Sequence, residues 1–231
     1  MTTLPKSRRL YTEAEYLALE RESEERQEYL DGVIYAVGEN PYEDIIYTDL
    51  TVVSRNHGTI CTNLTMEIGS QLRGGPRQVF GKDMKVLSGL VPKSPYPTTG
   101  LDSCPDLVVV CGDPQFHDEF RDVLLNPRLI IDVLSPSTEA FDRGEKFLRY
   151  RTHLESLTDY IVVAQNRPLV EHFARQPNGQ WVIAATATDL SETVVLNSIG
   201  CMLRLSDIYD RIVFPAPSDD EPTPPDTEPI R

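Results

Sequence analysis

Two aspartates occupy positions where a carboxylate is costly. Asp106 follows Pro105 at the head of Asp106-Leu107-Val108-Val109-Val110, and Asp132 interrupts Leu129-Ile130-Ile131-Asp132-Val133-Leu134. Runs this rich in Val, Ile and Leu read as central strands buried on both faces. A charge placed there must find a partner, a metal or a proton. One answer is structural, an ion pair or the cap of the following helix. The other is a divalent cation: Mg²⁺ takes oxygen ligands in octahedral geometry, typically one or two carboxylates completed by waters and substrate phosphates. Zinc would call for His or Cys instead. Lys146, in Arg143-Gly144-Glu145-Lys146, lies on the helix expected after the second strand and can point at the same spot. Asp142 stands four residues before it, the favourable order for an ordinary surface pair, so both readings of Lys146 stand.

Other chemistries are weaker. Ser135-Pro136-Ser137 follows a strand but is no GxSxG elbow, and His117, His153 and His172 have no spacing that nominates a base. His57 alone stays open among the histidines. Gly74-Gly75 closes a helix instead of opening one, contrary to phosphate-cradling loops. Cys61, Cys104, Cys111 and Cys201 form no CxxC pair and no short Cys/His cluster, so they read as buried free thiols.

The elements that must position these residues are legible in outline. Thr12 and Glu15 have capping-box spacing at the start of a short helix. Asp31-Gly32 separates two strand-like runs, the strongest short hairpin signal, and places Glu28 on the first strand. Ile60, Leu64, Ile68 and Leu72 recur every four residues along a helix predicted over 56–73. Strands are expected at 78–80, 84–87, 106–111 and 129–134, with a proline-rich loop over 88–105. A helix over 139–154, capped by Ser137 or Thr138, precedes a meander of strands at 159–164, 169–174, 181–186 and 193–196 and a short helix over 206–211. The pattern is an α/β or α+β architecture.

With 231 residues, 40% of them hydrophobic and 25% charged, the chain can bury a real core. Residues 1–214 read as one domain. The segment 215–231 holds six prolines and almost no apolar side chains, which reads as an acidic disordered tail. The apolar runs are far shorter than a bilayer span and the basic N-terminus has no apolar stretch behind it, so a cytoplasmic setting and no membrane partner are expected. The net charge is −14, of which the tail carries −4 and residues 1–214 carry −10. That balance opposes a nucleic-acid partner unless a local basic face exists. Candidates for such a face are Arg55, Arg73, Arg77, Lys82, Lys85, Arg143, Lys146, Arg149 and Arg151.

The ordered series EYLDGVIY, an RNHG helix start, PDLVVV, LIIDVLSPST, DRGEKFLRY and DYIVV resembles the Uma-two family, whose members are assigned as endonucleases of the PD-(D/E)XK, restriction-endonuclease-like superfamily. The resemblance covers roughly residues 10–210. It implies a mixed central sheet flanked by helices, with additional hairpins, and Mg²⁺-dependent phosphodiester hydrolysis, most plausibly of DNA, with Mn²⁺ as a substitute ion. Carried over by motif, Asp106 and Asp132 are the metal carboxylates, and Glu28 is the extra N-terminal acid, a ligand of a second metal or a base. Leu134 stands where the superfamily usually has its Lys, and Lys146 matches the migrated position on the next helix. His57 and Asp83 match positions near the family site. Relatives commonly have Glu where this chain has Asp132, one methylene shorter. A homodimer that cuts two strands is a further implication, and a decayed, non-catalytic binding or assembly module on the same fold is the alternative.

Overall fold

A computed structural model describes residues 9–39, 54–89 and 100–214. The expected tail and the middle of the proline-rich loop lie outside these residues. Two mixed sheets carry the architecture. The larger runs in the order β11 (Trp181–Ala187), β10 (Val170–Arg175), β9 (Asp159–Ala164), β8 (Leu129–Leu134), β6 (Leu107–Cys111) and β3 (Arg77–Gly81). All its neighbours are antiparallel except β8 and β9, whose parallel pairing requires a crossover connection. That crossover is the helical segment formed by α3 (Glu139–Phe141), a π-helical turn (Asp142–Lys146) and α4 (Phe147–His153).

The smaller sheet runs β2 (Val33–Ala36), β1 (Gln27–Leu30), β5 (Leu101–Ser103), β4 (Lys85–Ser88) and β7 (Val123–Leu124). A separate hairpin joins β12 (Thr193–Leu196) to β13 (Cys201–Arg204). The remaining helices are α1 (Glu13–Glu22), α2 (Arg55–Leu72) and α5 (Leu205–Ile208).

Three apolar clusters follow from strand alternation. Leu129, Ile131 and Val133 of β8 face α2, the β12–β13 hairpin and α5, while Ile130 and Leu134 face Phe141, Phe147 and Tyr150 of the crossover. Asp132 shares the alternation of Ile130 and Leu134, and so faces the crossover helix. On the first face, Ile60, Leu64, Ile68 and Leu72 of α2 are buried as their spacing predicts. The third cluster, Tyr16, Leu17, Tyr29, Leu87 and Val123, lies between α1 and the smaller sheet.

Local chemistry sets the anchor points. Thr12 and Glu15 form the expected capping box. Asp31 and Gly32 have φ of 46° and 90°, as a type I′ turn requires. The Asp31 carboxylate also accepts from the Gly100 amide at 3.0 Å and pairs with Arg149 of α4, which ties the β1–β2 hairpin to the crossover.

Several details depart from the sequence reading. The helix expected over 139–154 contains the π-helical turn at its centre, and its first turn is served by Ser135, whose Oγ accepts from the Thr138 amide at 3.2 Å; Thr138 makes no side-chain cap. Strand β5 falls in the stretch taken as loop, and β7 and β13 carry no pattern signal. Asp106 sits one residue before β6 instead of opening it.

Ile130, fully buried on the crossover side of β8, tests this packing. Ile130→Ala is expected to lower stability by about 2–5 kcal/mol, read as a lower urea midpoint with an unchanged transition slope.

Candidate active site and metal centre

The antiparallel register of β6 and β8 pairs Leu107 with Ile131, so Asp106 and Asp132 sit beside each other where that ladder ends. Their side chains then part. Asp106 Oδ2 accepts from the Val133 amide at 2.8 Å and lies 3.4 Å from His57 Nε2 of α2. Asp132 turns into the interior, where Oδ1 accepts from Lys146 Nζ at 3.1 Å and Oδ2 from the Tyr160 hydroxyl at 2.8 Å. Lys146 Nζ is also 3.1 Å from Asp142 Oδ1. The surface-pair reading of Lys146 is thereby corrected: it meets Asp142, but both are buried, and the ammonium also reaches the strand acid.

This interior cluster is sealed. Asp132, Asp142 and Lys146 are each under one-tenth exposed, and the Tyr160 ring stacks on Phe147 at 4.8 Å. The π-helical turn admits an extra residue into the helix, and both Asp142 and Lys146 face inward from it. Glu28 of β1 is buried nearby and accepts from the Cys104 amide at 2.6 Å.

Burial is the largest influence on every carboxylate here. It raises Glu28 and Asp132 against the opposing charge of Lys146, and it pushes Asp142 up to about 6. Asp106 is the exception: burial would raise it, but the hydrogen bond and charge of His57, the Val133 amide and Lys146 together hold it below the ordinary carboxylate range. Lys146 stays protonated, because Asp132 and Asp142 outweigh the burial that would otherwise depress it. Its charge acts on Glu28, Asp106, Asp132 and Asp142 alike.

An open cleft of about 470 Å³ lies on the α2 side of Asp106, lined also by His57, Gly58, Cys61, Lys82 and Asp83. Of the expected site residues, Asp106, His57 and Asp83 reach this cleft; Asp132, Lys146 and Glu28 stand in the interior behind it. Asp83 is mostly exposed and pairs with Arg26 at 3.2 Å. Sequence reasoning did not assign a site role to Cys61, Tyr160 or Asp142. The spacing His57-Gly58-Thr59-Ile60-Cys61, which stacks two ligand-type side chains on one helical face, was a usable signal for the first.

Two of the remaining histidines meet carboxylates away from the cleft: His172 Nε2 is 2.7 Å from Asp159 Oδ1 in the core, and His117 meets Glu13 at 3.2 Å. The expected basic face is reduced, because Lys85, Arg143, Lys146 and Arg149 are committed to carboxylates within the chain. Arg55, Arg73, Arg77 and Lys82 have no carboxylate partner among the described residues. Lys82 lines the cleft and Arg55 opens α2 two residues before His57, whereas Arg73 and Arg77 stand at the far ends of α2 and β3.

The mixed six-stranded sheet with one parallel crossover pair has the layout of a restriction-endonuclease-like fold. A crystal structure titled "putative nuclease belonging to DUF820", from Anabaena variabilis ATCC 29413, superposes with a TM-score of 0.63 at 16% identity, covering 88% of this chain and 99% of that one. The model of the Uma2 family, described as "Putative restriction endonuclease", matches residues 13–206. The chain belongs to the Uma2 family. Two relatives come from Synechocystis sp. (strain ATCC 27184 / PCC 6803 / Kazusa). "Uncharacterized protein slr1290" is 32% identical over 87% of this chain and 92% of its own length. "Uncharacterized protein sll1609" is 27% identical over 76% and 86%. No helix among the described residues is long and apolar enough to cross a membrane.

The His57–Asp106 contact carries its own prediction for the metal-free protein. Burial alone would depress His57, but the Asp106 hydrogen bond and charge raise it above its ordinary value, about 6.5. The pair then stabilises the fold below that pH, and the contribution is lost as pH rises through the folded-state value. In Asp106→Asn the burial remains without the charge, so His57 is expected to titrate below about 6.5. Ring resonances followed by NMR through a pH titration check both values; an unchanged His57 in the variant would break the assignment.

Proposed function

We propose that this protein is a Mg²⁺-dependent endonuclease that hydrolyses phosphodiester bonds, with DNA as its substrate and Mn²⁺ as a substitute ion. The observation that carries the reading is the register that brings Asp106 and Asp132 side by side where the β6–β8 ladder ends, with Lys146 Nζ 3.1 Å from Asp132 Oδ1. Carboxylates gathered inside a protein call for a basic partner, a cation or a proton. The donors are carboxylate oxygens, the chemistry Mg²⁺ prefers. Asp106 and Asp132 would hold the ion, and Glu28 would either serve a second one or act as a base.

Mg²⁺ bound there supplies polarisation of the scissile phosphate and activation of water. The chain's own residues do the rest. Lys146 keeps a fixed positive charge behind the acids, where it offsets the negative charge growing on the phosphoryl oxygens. Glu28, raised by burial, is suited to accept a proton from the attacking water. His57 holds Asp106 in its rotamer and keeps it ionised. Lys82 in the cleft lining and Arg55 at the start of α2 would supply positive charge toward a phosphodiester backbone, against a chain of net charge −14.

The alternative, a non-catalytic module, draws support from one feature: both oxygens of Asp132 are already hydrogen-bonded. Cleavage of supercoiled and single-stranded DNA with Mg²⁺ or Mn²⁺ separates the two. Wild type is expected to cut and to stop when EDTA is added. Asp106→Asn and Asp132→Asn are each expected to lose roughly 10²-fold or more in rate while remaining folded. Absence of cleavage by a folded, metal-loaded wild type would favour the non-catalytic module.

A further inference from the structure

The cleft face of Asp106 carries a second set of donors of a different chemical kind. His57 and Cys61 stand four residues apart on α2, so both side chains project from the same face one turn apart. Their positions are fixed from below: Ser54 caps the helix by accepting from the His57 amide at 3.1 Å, and Ile60 and Leu64 anchor the opposite side of the same turns in the core. His57 Nδ1 is 3.5 Å from Cys61 Sγ, and His57 Nε2 is 3.4 Å from Asp106 Oδ2.

One ligand atom from each of His57, Cys61 and Asp106 can be chosen so that all three lie within 4.8 Å of one another. Donors sharing a tetrahedral Zn²⁺ at ordinary bond lengths are separated by about 3.3–3.7 Å. Binding therefore requires the side chains to rotate until one His57 nitrogen, the Cys61 sulfur and an Asp106 oxygen share the ion. The three residues are half-buried and all line the same open cleft. Access is clear as well: a Cβ built on Gly58, between the two helical donors, would meet nothing within 4 Å.

We propose that His57, Cys61 and Asp106 form a site for a borderline-soft divalent ion of the Zn²⁺ class, with the fourth position open to the cleft. The donor set distinguishes it from a Mg²⁺ centre, because thiolate and imidazole suit Zn²⁺ and Co²⁺ while Mg²⁺ takes oxygen. Three protein ligands with one open position is the arrangement of zinc sites that bind water or substrate. Binding needs Cys61 as thiolate and His57 with a free ring lone pair, so the thiol proton, and the imidazolium proton when present, leave to solvent. Asp106 is common to this site and the proposed Mg²⁺ centre, and the two ions therefore compete for it. The competition rests on the nuclease reading; the binding does not.

Co²⁺ is the probe, because a cobalt–thiolate bond absorbs in the near ultraviolet and tetrahedral Co²⁺ absorbs strongly in the visible. Metal-free, full-length protein titrated with Co²⁺ is expected to develop both signals at one ion per chain, to lose them on addition of Zn²⁺ and to keep them in excess Mg²⁺, which competes only weakly because it shares Asp106 but not the thiolate and imidazole. Cys61→Ser, checked for folding by circular dichroism, is expected to lose the thiolate band. Cys111→Ser, which alters the exposed cysteine, is expected to keep it. A folded wild type without the thiolate band, a band that survives in Cys61→Ser, or a band lost in Cys111→Ser would each overturn the proposal. None of these readouts involves DNA cleavage, so their failure is distinct from failure of the nuclease reading.

Discussion

The candidate site is organised by one buried ammonium. Lys146 lies 3.1 Å from both Asp132 and Asp142 inside a layer that is otherwise aromatic and aliphatic. Removing one partner from such a pair typically costs about 3–5 kcal/mol, because an uncompensated charge remains. The strand acid, the helix acid and the lysine are thus obliged to stay together, and with them β8 and the crossover helix. Glu28 and Asp106 stand near the same ammonium, Glu28 accepting from the Cys104 amide and Asp106 meeting His57. One lysine thus gathers four carboxylates, the setting in which the proposed cation would bind.

The fold serves this arrangement from both sides. The end of the β6–β8 ladder sends Asp106 toward α2 and Asp132 toward the crossover. The Asp31–Arg149 pair brings β1, and with it Glu28, against the same helix. The π-helical turn carries Asp142 and Lys146 inward together, and Tyr160 closes the interior oxygen of Asp132 from the parallel neighbour strand. Five separate chain segments, β1, the start of β6, β8, the π-helical turn and β9, therefore contribute to the site.

Most of the scaffold was legible because its signals are local or periodic. The β1–β2 hairpin follows from Asp31-Gly32, α2 from a four-residue apolar repeat, and β8 and β9 from unbroken apolar runs. What escaped has a physical reason. Strand β5 is three residues long and reads Leu-Asp-Ser, too short for any period, and its burial comes from tertiary contacts, pairing with β1 and β4 and packing against the crossover side. The π-helical turn leaves no mark because its residues are compatible with an ordinary helix.

The acids themselves were legible as misplaced charges, and the ordered motifs named their family. Which way each side chain turns was not, because strand alternation fixes a face only within the ladder and Asp106 lies just outside it. The Asp106–His57 contact likewise depends on α2 docking at the end of β9, through Asn56 and Gln165, a tertiary fact with no local signature.

Anomalous scattering from crystals grown with Mn²⁺ tests the central claim most directly. The account predicts a peak within about 2.5 Å of oxygens of both Asp106 and Asp132, with Lys146 retained beside the metal. A structure at saturating Mn²⁺ with no peak at these carboxylates, and with Asp132 still closed by Lys146 and Tyr160, would contradict it.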